Sequence, residues 1–233
     1  MRTIRPTTLA ATGLALTWLA GAALSRTGPG TGRYPTQAGV DTVVWSRFRA
    51  YTVPELEAWS QVTASGGRYV VLSLSLLVAV AVAATSPSAR VRAMAVPVSL
   101  LAAGASAQLV AKPVLGRHIA HAVDAYPSGH ATGAAATALA LYLVLRPGPI
   151  RCAVAAISGS WAAAVGLGMV ATGSHYPTDV LAGWAWGSCW AVLVAAAFDR
   201  LARHRAQTGG ISAGASPAGS RCSSSPRSPA GSC

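Results

Sequence analysis

The charges of this chain are pushed to the edges of long apolar runs, and that arrangement limits the fold more than any motif does. Charged residues make up 10% of its 233 positions, against about 25% in a soluble domain. Six apolar stretches lie between them, at 7–24, 69–84, 93–111, 129–145, 152–173 and 178–198. A run of about 18 or more such residues crosses a bilayer; the second is short and borrows flanking residues. The first follows Arg2 and Arg5. It is long for a signal peptide and shows no small-residue cleavage site, so it reads as an uncleaved anchor. Alanine and glycine fill all six, and small residues let helices approach closely in lipid. The expected fold is all-α, a six-span transmembrane helical bundle over 1–205.

Arginine placement orients the bundle. Arg2 and Arg5, Arg90 and Arg92, Arg146 and Arg151, and Arg200, Arg203 and Arg205 all fall on one side of a six-span path. Basic loops mark the cytoplasmic side. Both termini are then cytoplasmic, and the loops 25–68, 112–128 and 174–177 face outward. The outer side holds Asp41, Glu55, Glu57, Asp124 and Asp179. The long first loop carries Trp45, Phe48, Tyr51 and Trp59, and Pro54 before Glu55 and Glu57 resembles a helix start. An interfacial helix and an ordinary packed loop are equally consistent with it. Residues 206–233 are rich in Gly, Ser, Pro and Ala and read as a disordered cytoplasmic tail.

The net charge of +12 does not point to nucleic acid, because the arginines flank apolar runs instead of forming a stripe with interleaved aromatics. The four cysteines have neither metal-ligand spacing nor a secreted disulfide pattern. Lys112 is the only lysine, and a lone lysine among arginines stands out for its compact ammonium.

Ionisable side chains near membrane depth are costly and mark functional sites. Here they gather on the outer side. Lys112 and Arg117 end the third run, His130 opens the fourth, and His175 and Asp179 open the sixth. In Pro127-Ser128-Gly129-His130, Ser128 is placed to cap a helix whose first N–H groups face outward. Such a helix start binds phosphate. Gly129 allows close backbone approach, and His130 can protonate a leaving oxygen. In His175-Tyr176-Pro177-Thr178-Asp179, the histidine and aspartate are one helical turn apart. The carboxylate can hold one imidazole nitrogen and leave the other as a nucleophile. Lys112 and Arg117 supply charge for phosphate oxygens.

These segments, from Lys112 to Gly183, resemble the type 2 phosphatidic acid phosphatase family, which includes undecaprenyl pyrophosphate phosphatases. Its motifs run K-x6-R-P, P-S-G-H and S-R-x5-H-x3-D. The second is intact at Pro127 to His130, and the third keeps His175 and Asp179 before Val180-Leu181-Ala182-Gly183. The resemblance implies a six-helix bundle and a phosphohistidine formed on His175, with His130 protonating the leaving group. The family's R-P falls on Ile119-Ala120, with Arg117 as a displaced substitute, and its S-R falls on Gly168-Met169. Two phosphate-binding arginines are therefore absent.

Hydrolysis of a lipid phosphate or pyrophosphate is the expected activity. A lipid phosphotransferase with the same His-His-Asp core and a non-catalytic lipid-binding protein are the alternatives. His118 and His121 lie in a polar loop without paired carboxylates, and the chemistry calls for no metal and no other cofactor. The partners implied are a lipid phosphate substrate and membrane lipids.

Overall fold

The computed structural model describes residues 5–26, 41, 43–44, 46–47, 67–115, 117 and 125–214. The stretch around Pro54, read equally as an interfacial helix or a packed loop, lies outside the described residues, as do His118, His121 and Asp124. The described regular structure is entirely helical. Its elements are α1 (Pro6–Arg26), α2 (Gly67–Thr85), α3 (Pro87–Ala93), α4 (Ala95–Ser106), a π-helical turn (Ala107–Ala111), α5 (Lys112–Leu115), α6 (Gly129–Val144), α7 (Pro149–Ala171) and α8 (Pro177–Gly214). The last helix runs past residue 206, where the tail was expected to begin.

Among the described residues, four stretches are long and apolar enough to cross a membrane: Pro6–Leu24, Pro87–Leu115, Pro149–Ala171 and Pro177–Gln207. Gly129–Val144 is also apolar but shorter, about 24 Å at 1.5 Å per residue. Large apolar side chains stand exposed on these helices, among them Leu19, Leu101, Leu109, Ile157 and Leu181. On a soluble protein such a surface would drive association; in a bilayer it faces lipid. The protein is a multi-pass membrane protein.

The third run differs from its sequence-based bounds. The helical path begins at Pro87, not at residue 93, and takes in Arg90 and Arg92. Ser86 caps it by accepting the Ala89 N–H at 3.2 Å, and Pro87 occupies the first turn, where its missing N–H costs nothing. Near its end the path passes through a π-turn, in which the Lys112 N–H donates to the Ala107 carbonyl five residues back. Pro113 lies just beyond and cannot supply an α-helical N–H to Leu109.

Helix α6 is the buried centre. Ala131, Thr132, Ala136 and Ala140 are inaccessible along it, and α4, α7 and α8 pack around it. The tightest crossing is with α8. A Cβ on Gly183 would lie 2.7 Å from the Ser128 carbonyl oxygen, and one on Gly187 would collide with the Thr132 carbonyl oxygen. Spaced four apart, these glycines form a smooth stripe that lets backbone meet backbone. Helix α1 covers the other side of α8, with Trp18 and Trp186 ring centroids 6.1 Å apart. The Trp186 Nε1–H donates to Ser106 Oγ at 2.9 Å. The Tyr126 hydroxyl donates to the Thr17 carbonyl at 2.7 Å and ties the segment before α6 to α1.

Gly187→Ala should therefore destabilise the bundle by about 1–3 kcal/mol, because a fixed carbonyl blocks the new methyl. Gly104→Ala, whose Cβ would meet nothing within 4 Å, should be neutral or slightly stabilising. Thermal unfolding of the two detergent-purified variants checks the contrast, and equal melting temperatures would contradict the close crossing.

Candidate active site

The site lies where α6 and α8 begin. The Ser128 N–H donates to the Asp179 carbonyl at 2.9 Å, so the two helix starts are joined directly. Ser128 occupies the N-cap position of α6, as its sequence context implied, but its side chain makes no capping hydrogen bond. Its Oγ is buried and has no hydrogen-bond partner among the described residues. Gly129 follows, and a Cβ there would lie 2.5 Å from Gln108 Nε2. The π-turn thus brings the Gln108 amide over the start of α6. Lys112 follows one turn later on the same path. His130 stands exposed at the rim.

The start of α8 is held by two carboxylates. Helix α7 ends at Ala171 with Thr172 as its C-cap, and Gly173 turns the chain with φ of 73°, a conformation glycine adopts without strain. The His175 N–H then donates to the Met169 carbonyl at 3.1 Å. Asp179 is fully buried, and its Oδ2 accepts the Tyr176 N–H at 3.0 Å. This is half of a capping box, with an acid three residues into the helix satisfying the N-cap amide. Asp41 Oδ1 accepts the Thr178 N–H at 3.1 Å, and Oδ2 accepts the Thr178 hydroxyl at 2.6 Å.

Arg117 bridges the two acids. Its Nη2 donates to Asp41 Oδ2 at 2.8 Å, and its Nη1 donates to Asp179 Oδ1 and to Thr178 Oγ1, the latter at 2.8 Å. The guanidinium lies 5.3 Å from the Tyr176 ring centroid. The expected phosphate-binding arginine is thus 3% exposed and held between carboxylates. Tyr126, close by, has its pKa pushed up to about 12, chiefly by burial and then by the Asp179 charge, with Arg117 opposing. Its hydroxyl stays protonated and keeps its bond to α1 at any ordinary pH.

His175 Nδ1 is 3.8 Å from Asp179 Oδ2. That is a close ion-pair separation and too long for a hydrogen bond. The Nδ1 atom is buried and makes no hydrogen bond among the described residues. Histidine and aspartate are therefore adjacent, as their spacing implied, while the carboxylate is directed to Arg117 and the Tyr176 amide. Met169, at the position of a family arginine, is buried against Ala131 and Val180 beneath the His175 turn.

Three members of this cluster were not anticipated from sequence. Asp41 was noted only as one acid of the outer side, and it sits 76 residues from its partner Arg117. Thr178 and Gln108 are ordinary polar residues until the fold brings them to the site. The chain's six acidic residues were the available signal for Asp41; for Gln108 there was none.

The model of the PAP2 superfamily matches residues 42–203, most of the chain. The protein belongs to the PAP2 superfamily. One relative, Lipid A 1-phosphatase of Rhizobium johnstonii (strain DSM 114642 / LMG 32736 / 3841), is 42% identical over 82 residues. That stretch is 34% of this chain and 30% of the relative, so the match spans less than a third of the relative's length. A solved structure, the first transmembrane PAP2 type phosphatidylglycerolphosphate phosphatase from Bacillus subtilis, aligns with a TM-score of 0.54 at 19% identity. The alignment covers 84% of this chain and 96% of that one, and shows a shared fold.

The buried charges of this PAP2 protein should respond unequally to substitution. Arg117→Ala strands two carboxylates and should cost about 3–5 kcal/mol. Asp41→Asn leaves Arg117 paired with Asp179 and should cost distinctly less. Denaturation midpoints of both variants give the order; a larger loss for Asp41→Asn would show that Arg117 is not the keystone.

Proposed function

We propose that the protein is an integral-membrane phosphatase that hydrolyses a lipid phosphate or pyrophosphate through a phosphohistidine on His175. The reading is carried by one observation: the hydrogen bond from Ser128 to Asp179 sets the helix start bearing His130 beside the turn bearing His175. The family supports phosphatase chemistry, and the Lipid A 1-phosphatase relative supports a lipid-borne phosphate.

In this mechanism the nitrogen of His175 remote from Asp179 attacks phosphorus. The bond from phosphorus to the lipid oxygen breaks, and His130 gives that oxygen a proton. Water, losing a proton to His130, then attacks the phosphohistidine and releases phosphate. An approach of about 1 Å brings His175 Nδ1 into hydrogen-bond range of Asp179, and such bonds commonly tighten when substrate binds. Asp179 then fixes the tautomer and stabilises the imidazolium. Lys112, Ser128, Gly129 and the first N–H groups of α6 hold the phosphate oxygens. Arg117 takes part through Asp179, as a positioning residue, and reaches phosphate only if it leaves a carboxylate.

The fold is read as six spans over 1–205, with 112–183 as the catalytic core, 206–233 as a cytoplasmic tail, both termini inside and the site outside. The buried Met169 favours a second reading. An apolar group where the family has a cation suits a less charged diester, as in head-group transfer by a lipid phosphotransferase. Release of inorganic phosphate from a panel of lipid monoesters, beside transfer between labelled diesters, separates the two. Phosphate release from no monoester would sink the phosphatase reading.

His175→Ala should abolish turnover on every substrate. His130→Ala should slow a poor alkoxide leaving group at least 100-fold, at the low end for general acid catalysis of about 10²–10⁴. It should slow a nitrophenolate far less. An equal loss on both substrates would remove His130 from the role of acid. For topology, a protease-sensitive tag after Cys233 should survive protease treatment of intact cells and be cut after lysis. Cleavage in intact cells would reverse the orientation.

A further inference from the structure

At the end of the bundle opposite His175, a cavity of about 400 Å³ is lined by residues from four helix ends. The C-terminal part of α2 supplies Val82 and Thr85, α3 supplies Ala89 and Arg92, and the end of α6 supplies Val144. The link and the start of α7 supply Arg146, Ile150 and Arg151. Three arginines thus share one cavity, and no described carboxylate lies within 4 Å of any of them. Asp199 lines a neighbouring cavity that Arg92 also borders, and it is paired with Arg203 on its own helix.

Arg151 is not simply projecting into water. The Arg151 guanidinium carbon lies 3.8 Å from the Tyr142 ring centroid. Its Nε is buried without a hydrogen-bond partner among the described residues. Gly148, with φ of 154°, is the N-cap of α7 and offers no side chain to its first amides. A 23-residue helix therefore presents its positive end to the same space. Three cations, an unanswered buried donor and a helix start all call for an anion.

The remaining walls specify what kind of anion. Val82, Val144, Leu145, Pro147, Pro149 and Ile150 make the cavity largely apolar, and Ile150 is 72% exposed. The cavity lies one length of α6, about 24 Å, from Ser128, most of the roughly 30 Å of a bilayer's hydrocarbon core, and so toward the leaflet opposite the His175 end. Free phosphate has no use for apolar walls, whereas a phospholipid fits both parts.

We propose that this cleft binds the phosphate head group of an anionic phospholipid from the leaflet opposite the His175 end. Arg92, Arg146 and Arg151 hold the phosphate, and the acyl chains lie against the apolar walls. Basic cavities between transmembrane helices take such head groups by charge complementarity. The site is separate from the catalytic residues and does not depend on their roles.

The test uses the full-length protein in phosphatidylcholine mixed micelles and reads the shift in melting temperature on adding phosphatidylglycerol, more phosphatidylcholine or inorganic phosphate. Only the part of each shift that the variant Arg92→Gln/Arg146→Gln/Arg151→Gln loses is counted, which sets aside binding at the His175 end. Phosphatidylglycerol should give an arginine-dependent shift of several degrees, and the other two additions none. No arginine-dependent shift with phosphatidylglycerol overturns the proposal. So does an equal one with phosphatidylcholine, or with inorganic phosphate, which would make the cleft a free-anion site. Arg146→Gln alone, at an exposed position, covers the case in which the triple variant does not fold. It should raise the phosphatidylglycerol concentration at half-maximal shift about fivefold, and an unchanged value overturns the proposal. Turnover of a soluble phosphomonoester by Arg146→Gln should match the unaltered protein.

Discussion

Helices α6 and α8 touch backbone to backbone because Gly183 and Gly187 place no side chain between them. In lipid there is little hydrophobic gain from bringing two helices together, so attraction comes from close packing over a smooth surface. That contact fixes more than stability. It brings the start of α6 within one hydrogen bond of the start of α8, through Ser128 and Asp179. Every polar group of the site is arranged around that junction. A side chain at either glycine would separate the helices, and the two halves of the site would separate with them.

Around the junction the charges do not cancel in pairs. One guanidinium serves two buried carboxylates, from Asp41 and Asp179. The carboxylates also satisfy the amides of Tyr176 and Thr178 at the open end of α8. Helix start, acids and arginine therefore form one polar network, in which each member lowers the cost of burying the others. His175 sits at its edge, its Nδ1 3.8 Å from the Asp179 carboxylate and not hydrogen-bonded to it.

The two polar helix starts were legible because their chemistry is local. Pro127 to His130 and His175 to Asp179 each lie within a helix start, where residue type and position carry meaning without knowledge of the fold. The apolar runs and their Arg borders likewise showed a membrane bundle. Asp41 was not legible as a site residue, since nothing in a 76-residue separation from Arg117 announces the pairing. The same holds for Arg117, which read as a cation for phosphate and is held by carboxylates. The start of the third run was misplaced because Arg90 and Arg92 read as loop. The Ser86-Pro87 pair, a good helix start, was there to be weighed against them.

The π-turn at Ala107–Ala111 alters how spacing in this chain converts into direction. An α-helix advances about 100° per residue, so one additional residue in a turn re-aims everything beyond it by roughly that angle. The Gln108 amide over Gly129 and the ammonium of Lys112 stand on either side of this offset. A motif counted in residues through the stretch is therefore not a motif counted in angles. Removing a single alanine from the turn would leave a smoother helix of almost unchanged composition. It would also swing the chain's only lysine to a different face of the bundle.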